Sequence, residues 1–125
     1  TEFNAVVIQK ELCKGYFACA GACPFEVIEG DPEIRIARKC TLCYNRLKNG
    51  LIPACAKTCP TDSIQFGPLR ELIPRAKERV KQLHKQRETK AYLYGVDQDY
   101  LGGLGNFYLL IDKPEVYALP QRSQL

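Results

Sequence analysis

The chain has 125 residues, 46% of them hydrophobic and 26% charged, with a formal net charge of +4. That suits one soluble globular domain, or one domain with an extension. No run approaches the ~18 consecutive apolar residues of a membrane span, no secretory signal opens the chain, and an odd count of seven cysteines argues against a secreted disulfide framework.

In chain order, residues 3–9 (FNAVVIQ) are apolar and β-branched and predict a first strand. A loop over 10–18 follows, with Gly15 at its tight point. A short helix then carries Cys19 to Cys23 and is stopped by Pro24. Glu26–Glu29 and Ile34–Arg38 predict a hairpin turning through Gly30-Asp31-Pro32. A second loop and helix span Cys40–Cys59, and Ser63–Phe66 predicts a closing strand. From Pro68 to Lys90, Leu69, Leu72, Ile73, Ala76, Val80 and Leu83 recur at helical spacing, so an amphipathic helix is expected, regular from about Ile73 because of Pro74. Eight Lys and Arg against three Glu give this stretch a net +5. Without interleaved aromatics, its basic face reads as solvated or as a protein contact before a nucleic-acid site. His84 reads as a surface residue and not a ligand. The last 35 residues hold five of the seven tyrosines, a glycine-rich turn at Gly102–Gly105 and a strand candidate at Phe107–Ile111. Tyrosine-rich extended segments suit a subunit interface, a reading placed somewhat ahead of a tail packed back on its own domain. The segments divide as 1–67, 68–90 and 91–125.

Chemistry concentrates between Cys40 and Pro60, CTLCYNRLKNGLIPACAKTCP, where four cysteines stand at C-x2-C-x11-C-x3-C followed by proline. The trailing C-x3-C-P fits the iron–sulfur pattern in which the last cysteine turns to a second cluster. Zinc ribbons repeat C-x2-C twice, and that repeat is absent, so spacing favours iron–sulfur over a zinc-dependent nucleic-acid or protein-binding module. A degenerate copy lies upstream. Ala18, Cys19, Ala20, Cys23, Pro24 and Ile28 each match the residue 36 positions later, and Cys13 aligns with Cys40. The copies imply two half-domains related by a pseudo-twofold, one cluster in each. The fold class expected is α+β, a two-cluster bacterial ferredoxin-like βαββαβ arrangement with a C-terminal helix and an extended tail.

If each half lends its last cysteine across, Cys40, Cys43, Cys55 and Cys23 complete one 4Fe–4S site. Cys13, Cys19 and Cys59 form the other, which lacks a fourth thiolate because Tyr16 stands where the copy has Cys43. Such a site takes a 3Fe–4S cluster, a 4Fe–4S cluster with a non-cysteine ligand, or none; three thiolates place the 3Fe–4S cluster slightly ahead. Tyr16 reads as a shielding ring before an iron ligand. Lys14, Arg38, Lys39 and Lys57 lie near ligand cysteines, where positive charge raises a cluster's potential; each reads equally as a solvated surface residue. A core this small would be marginal by burial alone, so the clusters act as staples and loss of either should unfold its half. Cluster assembly needs reduced thiols, which makes the cytoplasm the default, with export to the periplasm after folding open.

Cys40–Gly67, CTLCYNRLKNGLIPACAKTCPTDSIQFG, resembles the final ferredoxin motif of iron–sulfur subunits that partner molybdenum or tungsten bis-pterin oxidoreductases. The tail, AYLYG…GGLGNFYLLIDKPEVYALP, resembles the beta subunits of formate dehydrogenases within that group. The resemblance covers about residues 13–67 and 91–120. It implies an electron-transfer subunit that does no bond chemistry itself and relays electrons between a catalytic molybdenum or tungsten subunit and a redox acceptor protein or subunit, with no nucleic acid and no direct membrane span. The chain departs from the family at Tyr16 and in carrying one ferredoxin-like unit where relatives carry more. It also lacks the terminal membrane helix of some relatives, which favours a soluble complex. No Ser/His/Asp set or paired carboxylates offer a catalytic site. A structural or regulatory cluster protein is the remaining rival, separable by its lack of fast electron exchange.

Overall fold

The structure is a computed structural model that describes residues 1–97 and 102–121. Residues 98–101 and 122–125, which belong to the expected interface tail, lie outside the described residues. The chain divides into two compact units, Thr1–Ile64 and Gln65–Leu125.

The first unit is a mixture of short helices and one hairpin. Helix α1 spans Ala18–Gly21, strands β1 (Glu29–Asp31) and β2 (Ile36–Arg38) pair antiparallel, and helices α2 (Tyr44–Lys48) and α3 (Ala54–Thr58) follow. The hairpin forms two residues later than expected. The Asp31 carboxylate accepts the N–H groups of Glu33 and Ile34, which moves the bend past Pro32, and Arg35 closes it in a left-handed conformation (φ 54°). Arg38 returns across the hairpin to pair with Asp31 at 3.0 Å.

The two expected outer strands are absent as strands, so only the inner pair of the βαββαβ order forms. Near the start, Thr1 Oγ1 donates to the Ala5 carbonyl and accepts the Ala5 N–H, and Asn4 is left-handed, so the chain turns instead of extending. At the other end, the Ser63 and Ile64 amides bond the Cys59 sulfur. Helix α2 lies in the long insert between Cys43 and Cys55 and ends on a glycine cap. Gly50 is left-handed and the Leu51 N–H reaches back to the Arg46 carbonyl.

The second unit opens on helix α4 (Leu69–Lys85). It starts a turn earlier than expected, because the Pro68 carbonyl accepts from both Glu71 and Leu72 and closes the first turn ahead of Pro74. The stripe Leu72, Ile73, Ala76, Val80 and Leu83 is half-buried, as helical spacing requires. Strands β3 (Tyr92–Tyr94) and β4 (Tyr108–Leu110) form a second antiparallel hairpin, with Leu93 opposite Leu109. Exposed His84 sits 2.7 Å from the Ala91 carbonyl, tying the end of α4 to the start of β3. A 3-10 turn over Pro114–Tyr117 follows.

Buried apolar side chains among the described residues are few: Ala5, Ala37, Leu47 and Pro53 in the first unit, and Ala91, Tyr94, Leu110 and Pro120 in the second. Four small or medium side chains in the first unit cannot by burial alone outweigh the ordering of a unit this long. Tyr94 anchors the second unit. Its side chain is 0% exposed, and its hydroxyl donates to the Pro120 carbonyl at 2.8 Å. Tyr94→Phe should lower the unfolding free energy of this unit by about 1 kcal/mol, and Tyr94→Ala by about 3–5 kcal/mol, in denaturant titrations.

Candidate metal centre

All seven cysteines are free thiols, and all lie in the first unit. Cys19 and Cys55 sit in α1 and α3 and are exposed, as is Cys40. Cys13, Cys23, Cys43 and Cys59 are half-buried.

Backbone amides are aimed at four of the sulfurs or their loops. The Leu42 N–H approaches Cys40 Sγ at 3.4 Å, and the Ala54 N–H approaches Cys43 Sγ at 3.5 Å. The second contact sets the first turn of α3, and so Cys55, beside the Cys40–Cys43 turn. Leu42 and Cys43 are successive left-handed residues (φ 55° and 52°), a conformation costing about 1 kcal/mol or more for each side chain. It turns the Leu42 amide toward sulfur. An open cleft of about 360 Å³ borders Cys43 and is lined by Val7, Ile8, Lys10, Thr41 and residues 44–46. Lys39 lays its ammonium on the Cys40 carbonyl at 2.8 Å, so this positive charge is held at the loop.

The upstream loop has the same local geometry. Gly15 aligns with Leu42 and is likewise left-handed (φ 67°). The N–H groups of Ala37, at 3.4 Å, and Gly15 both lower the Cys13 thiol from its ordinary value, Ala37 contributing more. Hairpin strand β2 therefore backs the first loop. A Cβ on Gly15 would lie 2.5 Å from the Arg35 carbonyl oxygen, and the Phe17 ring packs on Gly30 at 2.7 Å from where its Cβ would be. The end of each copy matches as well. Glu26 N–H bonds the Cys23 carbonyl and Asp62 N–H bonds the Cys59 carbonyl, and both residues are left-handed. Tyr16, at the vacant ligand position, is 82% exposed.

Cys59 has the richest set of donors. Thr61 Oγ1 stands 3.5 Å from its sulfur, and the hydroxyl together with the Ile64, Thr61 and Ser63 amides lowers the thiol to about 7, against a smaller opposing effect of burial. Sequence reasoning missed Thr61, Ser63 and the Ala37 amide. The hydroxyl residues following Cys59-Pro60 were a readable signal; the Ala37 contact, 24 residues from Cys13, was not.

Among the described residues no three Cys, His, Asp or Glu side chains converge on a point that could hold one metal ion. A tetrahedral zinc site needs its donors within about 2.3 Å of one centre, whereas the thiolates of a cluster bind separate irons and stand farther apart. Cysteine-only donors, free thiols and amides aimed at sulfur all fit an iron–sulfur group. Residues 1–69 match the family model of the 4Fe–4S dicluster domain. The chain belongs to that family. Its dicluster domain thus covers the whole first unit.

Over 98% of its length the chain is 40% identical to the formate dehydrogenase iron–sulfur subunit of Haemophilus influenzae and 39% identical to the formate dehydrogenase-O iron–sulfur subunit of Escherichia coli. Over 72% it is 36% identical to the thiosulfate reductase electron transfer subunit of Salmonella typhi. It spans 40%, 41% and 47% of those relatives' own lengths. The two formate dehydrogenase relatives match beyond the dicluster domain, through α4 and the tail.

Two outcomes check this geometry. Gly15→Ala should lower stability by roughly 1–3 kcal/mol, because backbone oxygen blocks the added methyl and the left-handed backbone disfavours it. Gly21→Ala, which meets nothing within 4 Å, should be neutral or slightly stabilising. Loss of cluster absorbance in denaturant reads both. In cluster-free chain, Cys59 should alkylate with a half-maximum near pH 7, since its donors lie within five residues and act locally. The ionised form stabilises the loop, so that contribution is present above the ordinary thiol value of about 8.5 and is lost as pH falls through about 7. A labelling profile centred on the ordinary value would show that the loop does not hold its donors on sulfur.

Proposed function

We propose that the chain is an electron-transfer subunit. In this reading it relays electrons through two iron–sulfur clusters between a molybdenum or tungsten catalytic subunit acting on formate and a redox acceptor. The paired cysteine loops, with matched left-handed residues at Gly15 and Leu42 and matched bonds at Cys23 and Cys59, carry this reading. The names of the formate dehydrogenase relatives, which align through the tail, support the choice of partner.

Bound iron–sulfur clusters supply one-electron redox chemistry, and the protein's work is to hold, shield and tune them. Cys40, Cys43, Cys55 and Cys23 would hold a 4Fe–4S cluster. Cys13, Cys19 and Cys59 would hold the second, with a 3Fe–4S cluster slightly ahead of a 4Fe–4S cluster with a non-cysteine ligand. The halves then relate by a pseudo-twofold in which Cys23 and Cys59 cross over. The N–H donors at Ala37, Leu42 and Ala54 favour added negative charge on sulfur, as does the Lys39 ammonium. The segment 91–125 would dock on the catalytic partner through its exposed tyrosines, Tyr108 and Tyr117, with 68–90 as the basic helix. Among the described residues no helix is long and apolar enough to cross a membrane; cytoplasm and periplasm both suit the chain.

The test is an iron and acid-labile sulfide count with low-temperature EPR on anaerobically isolated protein. The expected outcome is about seven irons per chain and an oxidised-state signal of the 3Fe–4S type. Eight irons with a silent oxidised state would replace the second cluster's assignment. Zinc without acid-labile sulfide would end the electron-transfer reading.

A further inference from the structure

The two copies of the cysteine repeat keep matched left-handed residues, and besides Tyr16 they differ chemically just after their last cysteine. After Cys23 the chain runs Pro24-Phe25-Glu26-Val27; after Cys59 it runs Pro60-Thr61-Asp62-Ser63. Glu26 and Asp62 occupy equivalent left-handed positions, with φ 52° and 53°. Phe25 and Val27 carry no side-chain donor. Their counterparts Thr61 and Ser63 both do, and the two hydroxyls form a chain that ends at sulfur. Ser63 Oγ lies 2.7 Å from Thr61 Oγ1, which lies 3.5 Å from Cys59 Sγ.

A metal-bound cysteine sulfur is a thiolate and can only accept. That fixes the direction of both bonds. Thr61 O–H donates to Cys59 sulfur, leaving the Thr61 oxygen free to accept from Ser63. Each donor polarises the next, so the pair presents a stronger hydrogen bond than a lone hydroxyl would.

We propose that Thr61, backed by Ser63, is a potential-setting residue that raises the reduction potential of the Cys59-ligated cluster and leaves the Cys23-ligated cluster untouched. This rests on the two-cluster reading above. Reduction adds one electron, forms and breaks no bond and moves no proton, and part of the added charge falls on the ligand sulfurs. A donor on one sulfur stabilises the reduced form more than the oxidised form, which moves the potential upward. When one electron passes between the two clusters, one loses what the other gains, and this hydroxyl pair biases it toward the Cys59 side. Thr61 acts through sulfur and is a positioning residue, not a catalytic one.

The test is an EPR-monitored redox titration of the anaerobically isolated full chain, carried out on the wild type and on Thr61→Val, Thr61→Ser and Ser63→Ala. Thr61→Val should lower one midpoint and leave the other in place, with iron and sulfide content unchanged. Thr61→Ser should restore the wild-type value, and Ser63→Ala should give a smaller fall. The signal that moves should be the one altered by Cys59→Ser and not by Cys23→Ser. Unchanged midpoints, equal movement of both, movement of the Cys23-linked signal, or a Thr61→Ser chain that behaves like Thr61→Val would each overturn the proposal. If Thr61→Val loses its clusters, Ser63→Ala decides, since it leaves the first hydroxyl in place: a fall supports the proposal and no change overturns it. Wild-type protein without acid-labile sulfide would instead overturn the two-cluster reading itself, an outcome distinct from all of these.

Discussion

Backbone N–H groups aimed at cysteine sulfur are the constraint on which the first unit depends. Ala37 serves Cys13, Leu42 serves Cys40, Ala54 serves Cys43, and the amides at 61, 63 and 64 serve Cys59. Ala37 donates from strand β2 and Ala54 from the first turn of α3, where an N–H has no intrahelical partner, while the other donors come from loops. The left-handed residues at 15, 42, 43 and 62 exist because turning an amide toward sulfur requires leaving regular structure. That explains why the unit has so little sheet. Of the residues expected to extend the hairpin, Ser63 and Ile64 turn their amides to Cys59, and Ala5 is held by Thr1.

The same constraint accounts for the hairpin that does form. Strands β1 and β2 contribute little burial, with Ala37 their one buried residue. Their role is positional. They carry the Ala37 amide to Cys13, place Arg35 against Gly15, and present Gly30 as a flat seat for the Phe17 ring at the start of α1. A protein held by so few buried side chains needs another source of order, and bound clusters tying distant loops together would supply it.

The second unit is organised differently, by a half-buried helical stripe, a short hairpin and the enclosed Tyr94 ring. Its tyrosines are used unequally. Tyr94 is buried with its hydroxyl satisfied inside the unit, Tyr92 donates to the Asp112 carbonyl, and Tyr108 and Tyr117 remain exposed. A surface for a partner subunit would draw on the exposed pair. The formate dehydrogenase relatives align through this unit as well as through the dicluster domain, so the two travel together in the chain although their stabilising interactions have nothing in common.

Cysteine spacing, the 36-residue repeat and the vacancy at Tyr16 are properties of residue order, and they were enough to reach the dicluster family and its seven candidate ligands. The helical stripe of α4 was legible for a similar reason, since its period follows from local geometry. Residue order could not locate the donors to Cys13, because Ala37 arrives from 24 residues away and any residue type supplies an N–H. Nor could it foresee the missing outer strands. Residues 3–9 have the composition of a strand, yet a strand exists only when a neighbour accepts its ladder bonds. Here Thr1 and the Cys59 loop take those groups first. The order of residues determined which atoms were available to bind a cluster, and the tertiary structure decided which polar groups face them, because that choice depends on competition among partners far apart in the chain.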